Sequence, residues 1–298
     1  MKLKFNKINK NFGDFHVLKD VSFQVESGQI FGYLGRNGAG KTTSIRILMD
    51  VFRQDSGEIL IDDKPFNPED YKIGYLPEER GMYGKTKVRD QLVYFAMLRG
   101  ATKQDALKSV EYWTERFEIA HYLDKKLETL SKGNQQKVQI TQAFLNNPDI
   151  LILDEPFSGL DPVNSQIFQD ALSEYISDDR IIIFSSHQMS YVETFCDDIA
   201  IIDKGEIVLD GNLEEIKEDI GGNKKRVSSQ NDNFESVLDN LGYKYSKDAK
   251  SYIIDLDNKE ESNKLLKELM NQDVEIELFS AYKPTLQDIF IEKVGDAK

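Results

Sequence analysis

The sequence has one cysteine, Cys196, which excludes an internal disulfide and any cysteine-rich metal centre. It has no long apolar run. Its longest, such as Ile150-Leu151-Ile152-Leu153 and Ile181-Ile182-Ile183-Phe184, are of buried-strand length, far short of the roughly 20 residues that cross a bilayer. The start, Met1-Lys2-Leu3-Lys4-Phe5, alternates polar and apolar residues like a strand and lacks the apolar block of a signal peptide, so a cytoplasmic location is expected. Positive charge is also scarce. A formal net charge of -14 argues against nucleic acid as a partner, because phosphate backbones are held mainly by Lys and Arg. It argues equally against loose adhesion to an anionic membrane surface. No period of 20–50 residues recurs, which argues against a solenoid or propeller.

What is present is an ordinary globular composition, 40% hydrophobic and 30% charged, over 298 residues, enough for one large domain or two unequal ones. Up to about residue 62 strands are expected at 2–9, 19–26, 29–34 and 57–62, with one helix starting at Gly40, and a short strand follows at 73–76. From about 86 to 147 the apolar residues recur at helical spacing: Val88, Leu92, Phe95 and Ala96, then Ala106, Val110, Trp113 and Phe117. Pro148 ends that stretch. Strands at 150–153, 181–185 and 198–203 then alternate with helices near 163–177 and 189–195, the order of a parallel sheet covered by helices. Gly221-Gly222-Asn223-Lys224-Lys225 reads as a linker. The weaker β-α-β-β-α-β order beyond it suggests a small α+β, ferredoxin-like unit. The expected domains are therefore 1–220, with a helical subdomain at about 86–147, and 221–298.

Gly35-Arg36-Asn37-Gly38-Ala39-Gly40-Lys41-Thr42 fits G-x-x-x-x-G-K-[ST], after a predicted strand and opening a predicted helix. The glycines let backbone N–H groups converge on phosphates, and the helix start adds positive dipole. Lys41 pairs with the β- and γ-phosphates and Thr42 ligates Mg²⁺, with Thr43 beside it; ATP is the expected ligand. The strand 150–153 runs into Asp154-Glu155, an acidic pair where α/β sheets place their ligands. Asp154 is expected to hold Mg²⁺ and Glu155 to act as the base that orients the attacking water. Leu130-Ser131-Lys132-Gly133-Asn134-Gln135-Gln136-Lys137 places a serine and a glycine just ahead of a helix, which by itself is a helix cap.

The order of these motifs, with Ser158-Gly159-Leu160-Asp161 and Ser185-Ser186-His187, resembles an ABC-transporter ATPase subunit over roughly residues 2–220. That likeness implies an α/β P-loop NTPase core with antiparallel β and helical subdomains. It implies that Ser131, Gly133 and Asn134 belong to the signature segment, which caps the γ-phosphate of ATP held by a second protomer. Asp161 falls in the segment that crosses the dimer interface, and His187 matches the switch histidine at the γ-phosphate. Phe12 matches the aromatic residue that stacks on adenine, with Phe15 as its nearest competitor.

Two departures are visible. Glu78 stands where many members carry a glutamine ligand for Mg²⁺; a carboxylate can serve, at the expense of added negative charge near the triphosphate. Lys132 and Asn134 replace Gly and Gln in the signature. Leu76-Pro77-Glu78-Glu79-Arg80-Gly81 and the signature variant resemble export-type members, and Pro284-Thr285-Leu286-Gln287-Asp288-Ile289-Phe290-Ile291 resembles the closing segment of exporters with a short C-terminal extension. The expectation is an ATPase subunit that dimerises with itself or a close relative, works at the cytoplasmic face of the membrane and drives a separate transmembrane permease. Non-transport relatives usually carry coiled-coil insertions, zinc modules or a second cassette, and none of these lies between Lys41 and Ser131. A P-loop kinase or GTPase needs neither the signature segment nor the Ser-Ser-His. A regulator that no longer hydrolyses ATP is disfavoured by Glu155 and His187. The transported substance is not readable.

Overall fold

The computed structural model describes residues 1–78, 81–186, 188–248, 250–258, 260–272 and 274–295. In chain order the elements are β1 (Lys2–Phe12), β2 (Phe15–Glu26), β3 (Ile30–Leu34), α1 (Lys41–Leu48), β4 (Ser56–Ile61), β5 (Lys64–Pro65) and β6 (Ile73–Leu76). There follow α2 (Val88–Leu98), α3 (Lys103–Arg116), α4 (Lys132–Phe144), β7 (Ile150–Asp154), α5 (Pro162–Tyr175), β8 (Ile181–Ser185), α6 (Met189–Phe195), β9 (Asp198–Asp203) and β10 (Glu206–Asn212). The C-terminal part contains α7 (Leu213–Gly221), β11 (Lys225–Ser229), α8 (Phe234–Leu241), β12 (Lys244–Asp248), β13 (Ser251–Asp255), α9 (Glu261–Asn271), β14 (Ile276–Ala281) and α10 (Leu286–Val294).

The two apolar runs of the sequence, together with Ile30–Leu34, become the strands buried on both faces. Every residue of β3, β7 and β8 is buried, which only a sheet covered by helices on both sides permits. The sheet order is β10-β9-β3-β8-β7-β6, parallel throughout except for the antiparallel edge pair β10–β9. Four adjacent strands, β3, β8, β7 and β6, therefore end side by side at one edge of the fold. A second, antiparallel sheet, β2-β1-β4-β5, alternates buried and exposed residues as a sheet with one wet face must. Its inward residues Leu3, Phe5, Phe23 and Val25 share a core with Ile45 and Leu48 of α1 and with Ile152 and Ile183 of the parallel sheet.

The stretch 86–147 is helical as its periodicity requires. Val88, Leu92 and Ala96 are buried on α2, and Ala106, Val110 and Trp113 on α3. Trp113 anchors this part, its ring 4.7 Å from Phe144 and its Nε1 donating to Asn147 Oδ1 at 3.2 Å. Where α4 meets β6 the backbones touch: a Cβ added at Gly74 would sit 2.1 Å from the Ala143 carbonyl oxygen. Gly74→Ala is therefore expected to destabilise the fold by about 2–3 kcal/mol through forced separation of strand and helix. A drop in the denaturation midpoint at unchanged slope checks this, and an unshifted midpoint refutes it.

Chain contacts divide the molecule into one unit on Met1–Asn212 and another on Leu213–Glu292. The second opens with α7, an amphipathic helix that the linker reading at Gly221-Gly222 had left with the first. β10, unanticipated in the sequence, ends where α7 begins. Within the second unit the sheet order is β12-β13-β11-β14, every neighbouring pair antiparallel, as a ferredoxin-like β-α-β-β-α-β chain gives. Val227 and Ile254 on the sheet pack with Phe234, Leu238, Leu265 and Leu269 of the helices.

Candidate nucleotide site

The loop between β3 and α1 is shaped by three glycines that its surroundings demand. A Cβ at Gly35 would lie 2.4 Å from the Ile202 carbonyl oxygen on β9, so only hydrogen fits. Gly38 and Gly40 take left-handed backbone at φ 80° and 117°, turning the chain so that N–H groups face one side. Gly40 also meets the antiparallel sheet: an added Cβ would lie 2.7 Å from Leu18 and 3.3 Å from the Val17 carbonyl oxygen. The loop is fixed on its far side by the Gly205 N–H, which donates to the Ala39 carbonyl at 3.0 Å. Lys41, first residue of α1, donates from Nζ to the Gly35 carbonyl at 2.6 Å. Burial lowers its pKa, while Asp154, Glu155 and Glu78 push the other way.

Those three acids arrive from neighbouring strand ends. Asp154 is the last residue of β7 and pairs in register with Ser185, the last of β8, whose hydroxyl donates to Asp154 Oδ1 at 2.9 Å. Only 4% of Asp154 is exposed, and burial raises its pKa above the ordinary carboxyl value against the pull of Ser185 and Lys41. Glu155 follows in left-handed backbone, φ 52°, a conformation that non-glycine residues adopt only when the surroundings impose it. The imposing contacts are its N–H to the Ser185 carbonyl, 2.9 Å, and the Ser186 hydroxyl donating to its Oε2, 3.1 Å. Glu78, exposed, follows β6 by two residues.

A cleft of about 150 Å³ joins these pieces, lined by Asn37, Gly38, Gly40, Lys41, Thr42, Thr43, Glu78, Asp154 and Glu155, with Val17 and Arg36. A larger cleft of about 470 Å³, among Arg99, Lys108 and Tyr112, holds none of the loop or the acid pair; chemistry, not volume, singles out the smaller one. The donor set suits Mg²⁺: the Thr42 hydroxyl and the Glu78 and Asp154 carboxylates offer hard oxygen donors. Among the described residues there is no cluster of three or more His, Cys, Asp or Glu that would make an all-protein cage. Magnesium needs none, because it is held by one or two carboxylates together with substrate phosphates.

The other expected site residues lie outside that lining. Phe12 ends β1 with 45% of its surface exposed, its ring edge-on to Phe52 at 5.3 Å. Phe15 is 70% exposed and, among the described rings, stacks on none. Ser131 caps α4 by accepting from the Asn134 N–H at 3.3 Å. The Asn134 side-chain amide donates to the Tyr122 hydroxyl of its own chain at 3.1 Å. Gly133 lies near the 158–161 loop, where an added Cβ would be 3.2 Å from the Gly159 carbonyl. Asp161 caps α5, accepting from the Asn164 N–H at 2.8 Å. His187 lies outside the described residues. Sequence reasoning did not place Val17 in the cleft, since an apolar strand residue carries no chemical signal. It also did not single out Ser185 and Ser186 as the groups that orient the acid pair, which only the register of β7 against β8 reveals.

A family profile described as "ABC transporter" matches residues 18–158, and one described as "ATP-binding protein DrrA1-3-like, C-terminal domain" matches residues 211–294. The chain is 41% identical to the uncharacterised ABC transporter ATP-binding protein YhaQ of Bacillus subtilis, covering 98% of both chains. It is 30% identical to the linearmycin resistance ATP-binding protein LnrL of Bacillus subtilis, over 81% of this chain and 80% of that one. Among solved structures, an ATP-binding subunit of an ABC transporter superposes with a TM-score of 0.68 at 29% identity, covering 74% of this chain and 94% of the other.

Proposed function

The chain belongs to the ABC transporter ATP-binding proteins, an ATPase of that family, and from this premise we propose that it is the motor of an exporter with a separate membrane-embedded permease. The observation that carries the proposal is the cleft itself. The phosphate loop after β3 and three acids from the ends of β7 and β6 converge on it, while the signature segment does not line it. Such a site is complete for gripping a triphosphate and incomplete for enclosing one. A second protomer, identical or closely similar, would supply Ser131 and Gly133 to the γ-phosphate.

In the proposed cycle Phe12 stacks on adenine, and the loop N–H groups and Lys41 hold the phosphates. Thr42, Glu78 and Asp154 would hold magnesium, which would supply charge neutralisation to the triphosphate. Glu155 accepts the proton of the attacking water, and His187 contacts the γ-phosphate. Contacts that exist only in the closed dimer let ATP favour closure, and hydrolysis removes them. Catalysis rests on positioning and charge, with no covalent intermediate. Asn134 is bonded to Tyr122 in its own chain, so Ser131 and Gly133 carry the trans contact in this reading.

Export is supported by the likeness to a resistance protein and by the Glu78 and Lys132 variants. Among the described residues no helix is long and apolar enough to cross a membrane, which fits a subunit that works on the cytoplasmic face through its permease. The surface of α2 and the segment before it would receive that partner. Residues 1–220 form the motor in this proposal, and the remainder an accessory domain.

The half-site is tested with Ser131→Arg, which should bind ATP as a single chain within about twofold of wild type yet fail to dimerise on ATP, read by equilibrium titration and light scattering. Loss of single-chain affinity would place Ser131 in its own chain's pocket and overturn the half-site. Purification of the tagged chain from membranes should bring an integral membrane protein with it, and that protein should stimulate ATP turnover.

A further inference from the structure

Phe12 projects from the end of a strand, where nothing in regular secondary structure fixes its ring. Four hydrogen bonds from one residue do. The Asp55 N–H donates to the Asn9 carbonyl at 2.8 Å. Its carboxylate accepts from Lys10 Nζ at 2.9 Å, from the Asn11 N–H at 2.6 Å and from Asn11 Nδ2 at 3.0 Å. Asp55 thus clasps the three residues that precede Phe12. The bonds from Lys10 and Asn11 hold its carboxyl down at about 2, so the clasp is ionised throughout the physiological range.

The clasp also sets what surrounds the ring. The Lys10 side chain, 15% exposed, places its ammonium 5.5 Å from the Phe12 centroid. Phe52 meets Phe12 edge-on, and the Arg46 guanidinium lies 5.8 Å from the centroid of Phe52. Arg46 is on α1, the helix that begins with Lys41. The ring is thereby referenced to the same helix that carries the phosphate-binding lysine. With the Lys10 ammonium over one face, the opposite face is the one on which a flat purine would stack.

We propose that Asp55 is a positioning residue for the base of ATP, holding Phe12 at a fixed place relative to the phosphate loop through Lys10 and Asn11. The inference rests on the reading of Phe12 as the adenine-stacking residue. It predicts a loss confined to the base. None of the contacts that shape the loop, at Ile202, Leu18, Val17 and Gly205, involves Asp55.

The test is equilibrium titration of the full chain with ATP and, separately, with inorganic tripolyphosphate, both with magnesium. Asp55→Ala should weaken ATP binding about tenfold, the scale of one lost stacking interaction, and leave tripolyphosphate within about twofold. The KM for ATP should rise with kcat retained. Asp55→Asn keeps an acceptor for the Asn11 N–H without the ion pair and should fall between; it carries the test should the alanine variant not fold. Equal weakening of both ligands would mean a distorted loop and overturn the proposal. Wild-type ATP affinity in the Asp55 variants, beside a base-specific loss in Phe12→Ala, would overturn it and leave Phe12 standing. Wild-type affinities in Phe12→Ala would remove the reading on which it rests.

Discussion

Glu155→Gln is expected to lower ATP turnover by two to three orders of magnitude while leaving ATP affinity within about twofold. The glutamine keeps the shape of the side chain and an oxygen for the Ser186 hydroxyl, but it cannot take a proton from water. Its backbone should stay in place because the Ser185 carbonyl and the β7–β8 register hold it independently of the carboxylate. With hydrolysis blocked and binding intact, ATP should trap the closed dimer, seen as an ATP-dependent doubling of mass in light scattering. Turnover within a factor of about three of wild type would remove Glu155 from the base role.

Asp154→Asn should act in opposite directions on stability and on turnover. Burial raises the Asp154 pKa, so the nucleotide-free fold is strained by the ionised carboxylate. A neutral amide that can still accept from the Ser185 hydroxyl relieves this, so the melting temperature of the nucleotide-free protein should rise. The sign with pH follows. A carboxyl whose folded pKa lies above its unfolded value gives stability that is present below the unfolded value, near 3.8, and is lost as pH rises through the folded value. The variant's advantage should therefore vanish near pH 4 and open toward pH 7. Magnesium and ATP should reverse the order, stabilising the wild type more, because in the proposed role Asp154 then serves as a ligand. Turnover should fall at least a hundredfold. Melting curves with the same gap at pH 4 and pH 7 would show that ionisation of Asp154 is not its source.

Much of this arrangement is legible in the sequence because physics leaves few options. A run such as Ile150-Leu151-Ile152-Leu153 must be a doubly covered strand, and the two acids after it must then stand at the sheet's ligand-binding edge. The glycine spacing of the phosphate loop is equally restrictive. Other features depend on partners distant in sequence and leave no local trace. Phe12 and Phe15 look alike in a hairpin, and it is contacts with residues such as Phe52 and Lys10 that separate them. β10 alternates weakly, and its strand form comes from pairing with β9. Val17 lines the cleft because Gly40 lets β2 approach, a closeness that neither residue announces. The left-handed backbone of Glu155 breaks the usual preference of its residue type, and sequence reasoning gives no warning of it.

That backbone has a consequence for how the protein can change over generations. A left-handed position favours glycine or asparagine, and another residue there costs of order 1–3 kcal/mol. Residue 155 is thus one where random substitution toward the conformationally preferred types makes the fold sturdier while removing the carboxylate proposed as the proton acceptor. Selection for abundance and selection for turnover pull against each other at this one site. A lineage released from the need to hydrolyse ATP would drift there first, arriving in one codon-sized step at a chain that still grips its nucleotide and no longer spends it.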